Sequence, residues 1–334
     1  MLRRALPLAV SLALALPGAF VTSAFVTGAV AQSDGDYPNR PVRLVAPAAP
    51  GGNPDVLARL LSQKLTAVFG KSFVVENVPG AGGVVAAKAV VAAPPDGHVL
   101  MLGDSGAMAI NVVLNPDLGY DPLRDFTPIT ALVTVPTVLV VHPSVPARTL
   151  QEFIALARSK PGQLSYGSAG PGSIHHLTMA IFAAQTGIDL LHVPYRGGTN
   201  LVTGLLKGEV QAGWSGIPNV MPLIEDGKLR VLCISTQQRS KSVAEVPTAI
   251  ELGIAGFDYA TMMGLQTSAG ASRALVARLQ AAVAKALREP DIVERMAVLG
   301  MDLRENGTAD YVQFMRDDIE RYRTAIKTFK LQLN

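Results

Sequence analysis

From Arg40 onward the sequence alternates short β-branched runs with stretches whose apolar residues recur at helical spacing. That alternation restricts the chain to βαβ units built on mostly parallel sheets. Val42 to Ala46 is predicted as a strand. After a Pro/Gly loop, Asp55 to Phe69 is predicted as a helix, with Val56, Leu57, Leu60, Leu61, Leu65 and Val68 on one face. Ser72 to Glu76 (strand), Val84 to Ala93 (helix) and His98 to Leu102 (strand) complete one α/β lobe.

Thr130 to Val141 is a long apolar run containing Pro136 and reads as an extended segment leaving that lobe. A fresh alternation follows: helix Leu150 to Lys160, strand Leu164 to Gly167, helix Ile174 to Thr186, strand Asp189 to Val193, helix Leu201 to Lys207 and strand Arg230 to Ile234. A second extended run, Phe257 to Thr267, precedes three helices, Arg273 to Arg288, Pro290 to Leu299 and Ala309 to Phe329. Those helices need a sheet to cover, and the first lobe has only three strands before the crossing. The chain is therefore expected to return and finish there. The expectation is an α/β fold with two lobes and two crossing segments. Residues 32 to 135 and 257 to 334 form the first lobe and residues 136 to 256 the second. Two crossings make a hinge.

Residues 1 to 31 read as a secretory leader. Arg3 and Arg4 form its basic start, an apolar stretch follows, and Ala29-Val30-Ala31 is a small-x-small cleavage site before Gln32. The expected location is the periplasm. Removing the leader leaves 27 basic residues against 26 acidic ones. That balance gives no reason to expect nucleic acid. Cys233 is the only cysteine, which excludes an internal disulfide, and its apolar surroundings suit a buried strand thiol.

In an open α/β sheet ligands bind beyond the carboxyl ends of the strands. Four loops there are built alike: Pro47 to Asp55 with Gly51, Gly52 and Asn53; Pro79 to Gly83 with Ala81, Gly82 and Gly83; Gly103-Asp104-Ser105-Gly106; and Gly167 to Ser173 with Ser168 and Gly172. Glycine lets the backbone approach a ligand closely, and a helix start presents unpaired N–H groups at the positive end of its dipole. Any one such loop is equally a tight turn. Four together, three on one lobe and one on the other, point to a shared cleft for a small carboxylate.

Asp55 lies four residues before Arg59, so a solvated helix pair is the favoured reading over a place in the cleft. Ser168 and Ser173 can donate to a carboxylate, and Ser173 can also cap the helix from Ile174. His176 can support the loop or face the cleft. In Tyr195-Arg196-Gly197-Gly198, Arg196 offers a planar fork for a carboxylate and equally suits an exposed surface position.

No catalytic reading holds. Gly103-Asp104-Ser105-Gly106 matches the tetrapeptide around a trypsin-like nucleophile but lies in a βαβ lobe. There is no Gly-x-Ser-x-Gly elbow, Walker loop or His-Glu-x-x-His helix. Gly80-Ala81-Gly82-Gly83-Val84-Val85 lacks the third glycine of a dinucleotide fingerprint, so no cofactor is expected. His175 and His176 point about 100° apart on a helix, which does not suit one metal. The expectation is a binding protein rather than an enzyme.

At these loops the sequence resembles the Bug family, the solute-binding components of tripartite tricarboxylate transporters. The resemblance rests on Pro50-Gly51-Gly52 with Asp55-Val56-Leu57-Ala58-Arg59, on Glu76-Asn77-Val78-Pro79-Gly80-Ala81-Gly82-Gly83, and on Pro95-Asp96-Gly97. It continues with Tyr120-Asp121-Pro122, Asp125-Phe126, Tyr166-Gly167-Ser168-Ala169-Gly170 with His176-Leu177, and Val193-Pro194-Tyr195-Arg196-Gly197-Gly198. It runs from about Tyr37 to the C-terminus.

The resemblance implies a type II periplasmic-binding-protein fold, a monomer that holds ligand on the Pro-Gly-Gly and Gly-Ala-Gly-Gly loops, and delivery to a membrane permease. A sensor that presents its liganded form to a two-component receptor is the alternative. Two positions depart from the family: Ser215 stands where an aspartate is usual, and Thr261-Met262-Met263 where a tryptophan is frequent. With Ser215 counted in the candidate site, the lost carboxylate points to a ligand without an amino group.

Overall fold

The computed structural model describes residues 36–304 and 307–331. The leader expected over residues 1 to 31 lies outside them. Among the described residues no helix is long and apolar enough to cross a membrane.

Strand β1 (Val42–Ala46) runs parallel to both β2 (Phe73–Asn77) and β3 (Val99–Asp104). Its Val42, Leu44, Val45 and Ala46 are fully buried, as a strand covered on both faces requires. Helix α1 (Asn53–Phe69) packs one apolar face on this sheet through Leu57, Leu61 and Leu65 and closes on Gly70 in the left-handed conformation. Helix α2 (Val84–Val91) packs with Met101 and Ala107 on the other side. After β3 comes a π-helical turn, Gly106–Ile110, running into the short helix α3 (Asn111–Leu114), where no helix was predicted.

The extended run expected over Thr130 to Val141 is two strands in two sheets. Strand β4 (Phe126–Val135) belongs to the first sheet and β5 (Thr137–Val141) to the second. Pro136 between them has no N–H to continue a ladder, so the pairing changes there. The second sheet has the order β7-β6-β8-β5-β9, with β6 (Ser165–Ser168) parallel to β7 (Leu191–Pro194) and β8 (Ala212–Gly216), and β5 antiparallel to β8 and β9 (Arg230–Ile234). Around it lie α4 (Leu150–Ser159), α5 (Ile174–Thr186), α6 (Gly198–Leu206) and α7 (Ile217–Glu225). Helix α7 was not predicted. Cys233 is buried in β9, where burial pushes its thiol up.

The chain returns through β10 (Thr261–Ser268), which lies antiparallel between β3 and β4, and β11 (Asp302–Leu303) adds the edge, giving the order β11-β4-β10-β3-β1-β2. Helix α8 (Arg273–Leu287) packs on α1 and β4, and α9 (Pro290–Val298) leads into β11.

Helix α10 (Thr308–Phe329) departs from the expectation that the chain finishes on the first lobe alone. Tyr311 and Met315 pack in the first lobe with Ala107, Met108 and Met262. Ile319, Tyr322 and Ala325, further along the same face, pack with Trp214, Phe257 and Tyr259 of the second. The helix straddles both.

Trp214 is fully buried, stacked on Phe257 at 5.2 Å and edge-on to Phe182 at 5.9 Å. Trp214→Ala is expected to cost about 3–5 kcal/mol of unfolding free energy, the usual range for removing a buried large aromatic ring. Urea unfolding followed by circular dichroism checks this; a loss below about 1 kcal/mol would show that the second lobe does not depend on this cluster.

Candidate functional site

The carboxyl ends of β1, β2 and β3 face the loops after β6, β7 and β8 across a cavity of about 570 Å³. Such a volume suits a small organic molecule. A Cβ at Gly51 would lie 3.9 Å from Thr199 Oγ1, and one at Gly197 would lie 3.9 Å from Ala49 Cβ. The two lobes therefore meet across the mouth in a closed arrangement.

In the first loop Gly52, Asn53 and Pro54 form wall, while Gly51 and Asp55 do not. The structure corrects the solvated-pair reading of Asp55. Its carboxylate is only 2 % exposed, pairs with Arg59 at 2.9 Å, and accepts from Gly51 N at 2.8 Å and Asn77 Nδ2 at 2.9 Å. Burial alone would raise its pKa, but the bonds from Arg59, Gly51 and Asn77 outweigh burial and hold it below the usual range. Asp55 thus fixes the glycine turn from behind. Helix α1 opens on Gly52 with no side-chain cap; Pro54 has no N–H and the Gly52 amide donates to Ala49 O, which leaves the Asn53 amide uncapped beside the cavity.

The second loop supplies Gly80, Ala81, Gly82 and Gly83. Gly82 has a φ of 59°, and a Cβ there would lie 2.7 Å from Asn111 Nδ2 and 2.9 Å from Gly172 O. Asn111 donates to Gly106 O at 2.9 Å, Gly172 O at 3.2 Å and Gly82 O at 3.3 Å. One amide, at the start of the short helix α3 that the sequence reading did not contain, ties loops of both lobes.

In the third loop Asp104 and Gly106 line the wall and Ser105 does not. Ser105 Oγ turns the other way and accepts from Met262 N at 3.1 Å. Asp104 Oδ1 accepts from Ala107 N at 3.0 Å, and burial raises the carboxyl to about 6 against the opposing amides of Ala107 and Gly106.

In the fourth loop Ser173 lines the cavity and caps α5, accepting from His176 N at 3.3 Å while donating to Gly170 O at 2.6 Å. Ser168 is fully buried; its Oγ meets His192 Nε2 at 2.7 Å and accepts from Gly170 N. It lies off the cavity wall, as does Gly172, whose carbonyl instead serves Asn111. His176 is stacked parallel to His192 at 4.0 Å, which in turn stacks on Tyr166 at 4.9 Å. Burial and the neighbouring His192 lower His176 to about 4, so it supports the loop as a neutral ring. The neighbour, His175, is the one on the wall, also lowered to about 4 by burial, with Nδ1 buried and unpartnered.

Tyr195 and Arg196 both line the cavity. Tyr195 donates from its hydroxyl to Glu209 Oε2 at 3.1 Å, while Arg196 is exposed at the wall without an ion-pair partner among the described residues. Ser215 is fully buried in β8 with its Oγ unpartnered, away from the cavity, and Asn219 of α7 stands on the wall instead. Thr137, Thr261 and Met263 of the crossing strands complete it. Among the described residues no three metal-ligating side chains cluster. The starts of α1, α5 and α6 all point at this space, and Gly197 before α6 again provides no side-chain cap. Helix starts of this kind attract anions.

Residues 57–331 match the family described as tripartite tricarboxylate transporter family receptor. BugT of Bordetella pertussis is 32% identical over 316 residues, covering 94% of this chain and 96% of BugT. Among solved structures, the R. palustris protein Rpa4515 with adipate superposes with a TM-score of 0.85 at 32% identity, covering 88% of this chain and 99% of that one. MatC from Rhodopseudomonas palustris with bound malate gives 0.83 at 32% identity, covering 87% and 100%. Sequence motif, sheet order and superposition agree: the chain belongs to the Bug family of tripartite tricarboxylate transporter receptors and has the two-lobed fold of their periplasmic binding proteins.

Proposed function

We propose that the chain is a periplasmic receptor that closes its two lobes on a small organic carboxylate and delivers it to the membrane permease of a tripartite transporter. The lobes, divided near residues 135 and 256, would move about the two crossing strands. The observation that carries the reading is the convergence of three helix starts, two without side-chain caps, on one closed cavity. Their N–H groups are donors that the fold leaves for a ligand. Support comes from the adipate and malate held by relatives of the same fold. Within the candidate set, the groups placed to serve are the amides of Asn53 and Gly82, with Ser173, Tyr195 and Arg196, while the amides of Gly52 and Gly83 close their own turns on Ala49 O and Gly80 O. Gly51, Asp55, Gly172, Ser168 and His176 act through the loops they hold.

Closure gives two tests. Gly82→Ala places a methyl between the lobes and should weaken carboxylate binding by about tenfold or more, equivalent to about 1.4 kcal/mol. Gly70→Ala is its control: Gly70 has a φ of 68° but no neighbour within 4 Å, so strain there should lower stability and leave affinity alone. Calorimetry against a panel of carboxylates reads both, and an unchanged affinity for Gly82→Ala would remove this loop from the site. Asn111→Ala removes the donor to Gly172 and, with a net worth of about 0.5–1.5 kcal/mol per bond, should speed ligand release roughly two- to tenfold. Stopped-flow fluorescence measures that rate, and release at the wild-type rate would mean the amide does not hold the lobes together.

A further inference from the structure

The cavity is not uniformly a donor site. Asp104 puts a carboxyl on its wall, with Oδ1 bound by the Ala107 amide. Asn53 on the same wall has a buried Oδ1 that no protein group reaches. Both are acceptors, and Asn53 Oδ1 has no donor from the protein among the described residues.

Resting on the carboxylate reading above, we infer that Asp104, with Asn53, determines specificity by accepting a hydrogen bond from the ligand, which is therefore a carboxylic acid bearing a hydroxyl or ammonium group. The carboxylate goes to the helix starts and Arg196, and the hydroxyl or ammonium group goes to Asp104. A plain diacid would set its second carboxylate against Asp104, where like charges repel. A ligand donor would instead satisfy Asn53 Oδ1, a buried acceptor that is costly to leave unpaired, and add to the bond Asp104 already accepts from Ala107. The premise that Ser215 removes the cavity's carboxylate fails, because Ser215 is off the wall and Asp104 is on it.

Matched acids test this by calorimetry at pH 7.5: propionate, lactate and alanine; succinate, malate and aspartate; glutarate, 2-hydroxyglutarate and glutamate. At whichever chain length binds, the donor-bearing acid should bind at least tenfold tighter than the plain one. Asp104→Ala should shrink that gap to within threefold, with thermal unfolding confirming a folded variant. Asp104→Asn keeps an acceptor without charge. It should retain a hydroxy acid within a few-fold and lose an amino acid by tenfold or more, which separates the two sources of the donor. A plain acid binding as tightly as its donor-bearing partner would overturn the inference and leave carboxylate capture standing. If no acid bound at millimolar concentration, carboxylate capture would fall and the inference with it.

Discussion

A backbone N–H taken out of water must find a partner, and this fold closes a cavity beside two helix starts that no side chain caps. Helices α1 and α6 begin on Gly52 and Gly197, which have no side chain to cap them. The usual Ser, Thr, Asp or Asn at such a place would satisfy a donor and blunt the site. Of the three helices that start at the cavity, only α5 is capped by a side chain, Ser173, and that bond fixes the loop while the hydroxyl still borders the cavity. The parts behind the wall serve the same end. Asp55 holds the Gly51 turn, Ser168 and the stacked His176 and His192 hold the loop opposite, and Asn111 gathers three carbonyls between them.

The same geometry describes how the lobes can part. β4 and β5 are joined by one proline, and the return from β9 to β10 is the second covalent crossing. Opening about these strands must also contend with α10, whose apolar face runs from Tyr311 in one lobe to Tyr322 in the other. Tyr322 packs beside Tyr259, which lies on the segment leading back into β10, so the helix crosses close to the hinge, where a rotation displaces it least. Contacts at the mouth, such as Asn111 with Gly172, lie on the moving side and are the ones that opening must break.

Much of this was legible because each signal was local. The β-branched run of β1, the helical spacing of α1 and the glycine loops after the first three strands carry their own conformational reasons, and the family resemblance joined them into one cleft. What stayed hidden depended on phase or tertiary context. Helix α5 is buried at Ile174, His176, Leu177, Thr178 and Met179 alike, so no pattern told which of His175 and His176 would meet the cavity. Asp104 and Ser105 stand where β3 gives way to a π-helical turn, and the way each points follows from that turn rather than from strand alternation. Helix α7 was obscured by Pro218 and Pro222, although a proline in the first turn costs a helix nothing. Every residue of β8 is buried, so the sequence held no sign that Ser215 would lie off the cavity wall.

Recognition by dipoles also bears on release. A helix start contributes about 0.3–1 kcal/mol to binding a negative charge at an exposed site and up to about 2 when partly buried. Several acting together can hold a carboxylate without a buried lysine, whose own desolvation would offset much of its attraction. The ionisable groups on this wall add little net charge: Asp104 opposes Arg196, and burial keeps His175 neutral. Once the lobes part, water replaces the ligand on each amide at small cost, and Arg196 is exposed to solvent that screens its charge. Affinity then resides mainly in closure, so whatever favours the open form lets the ligand go.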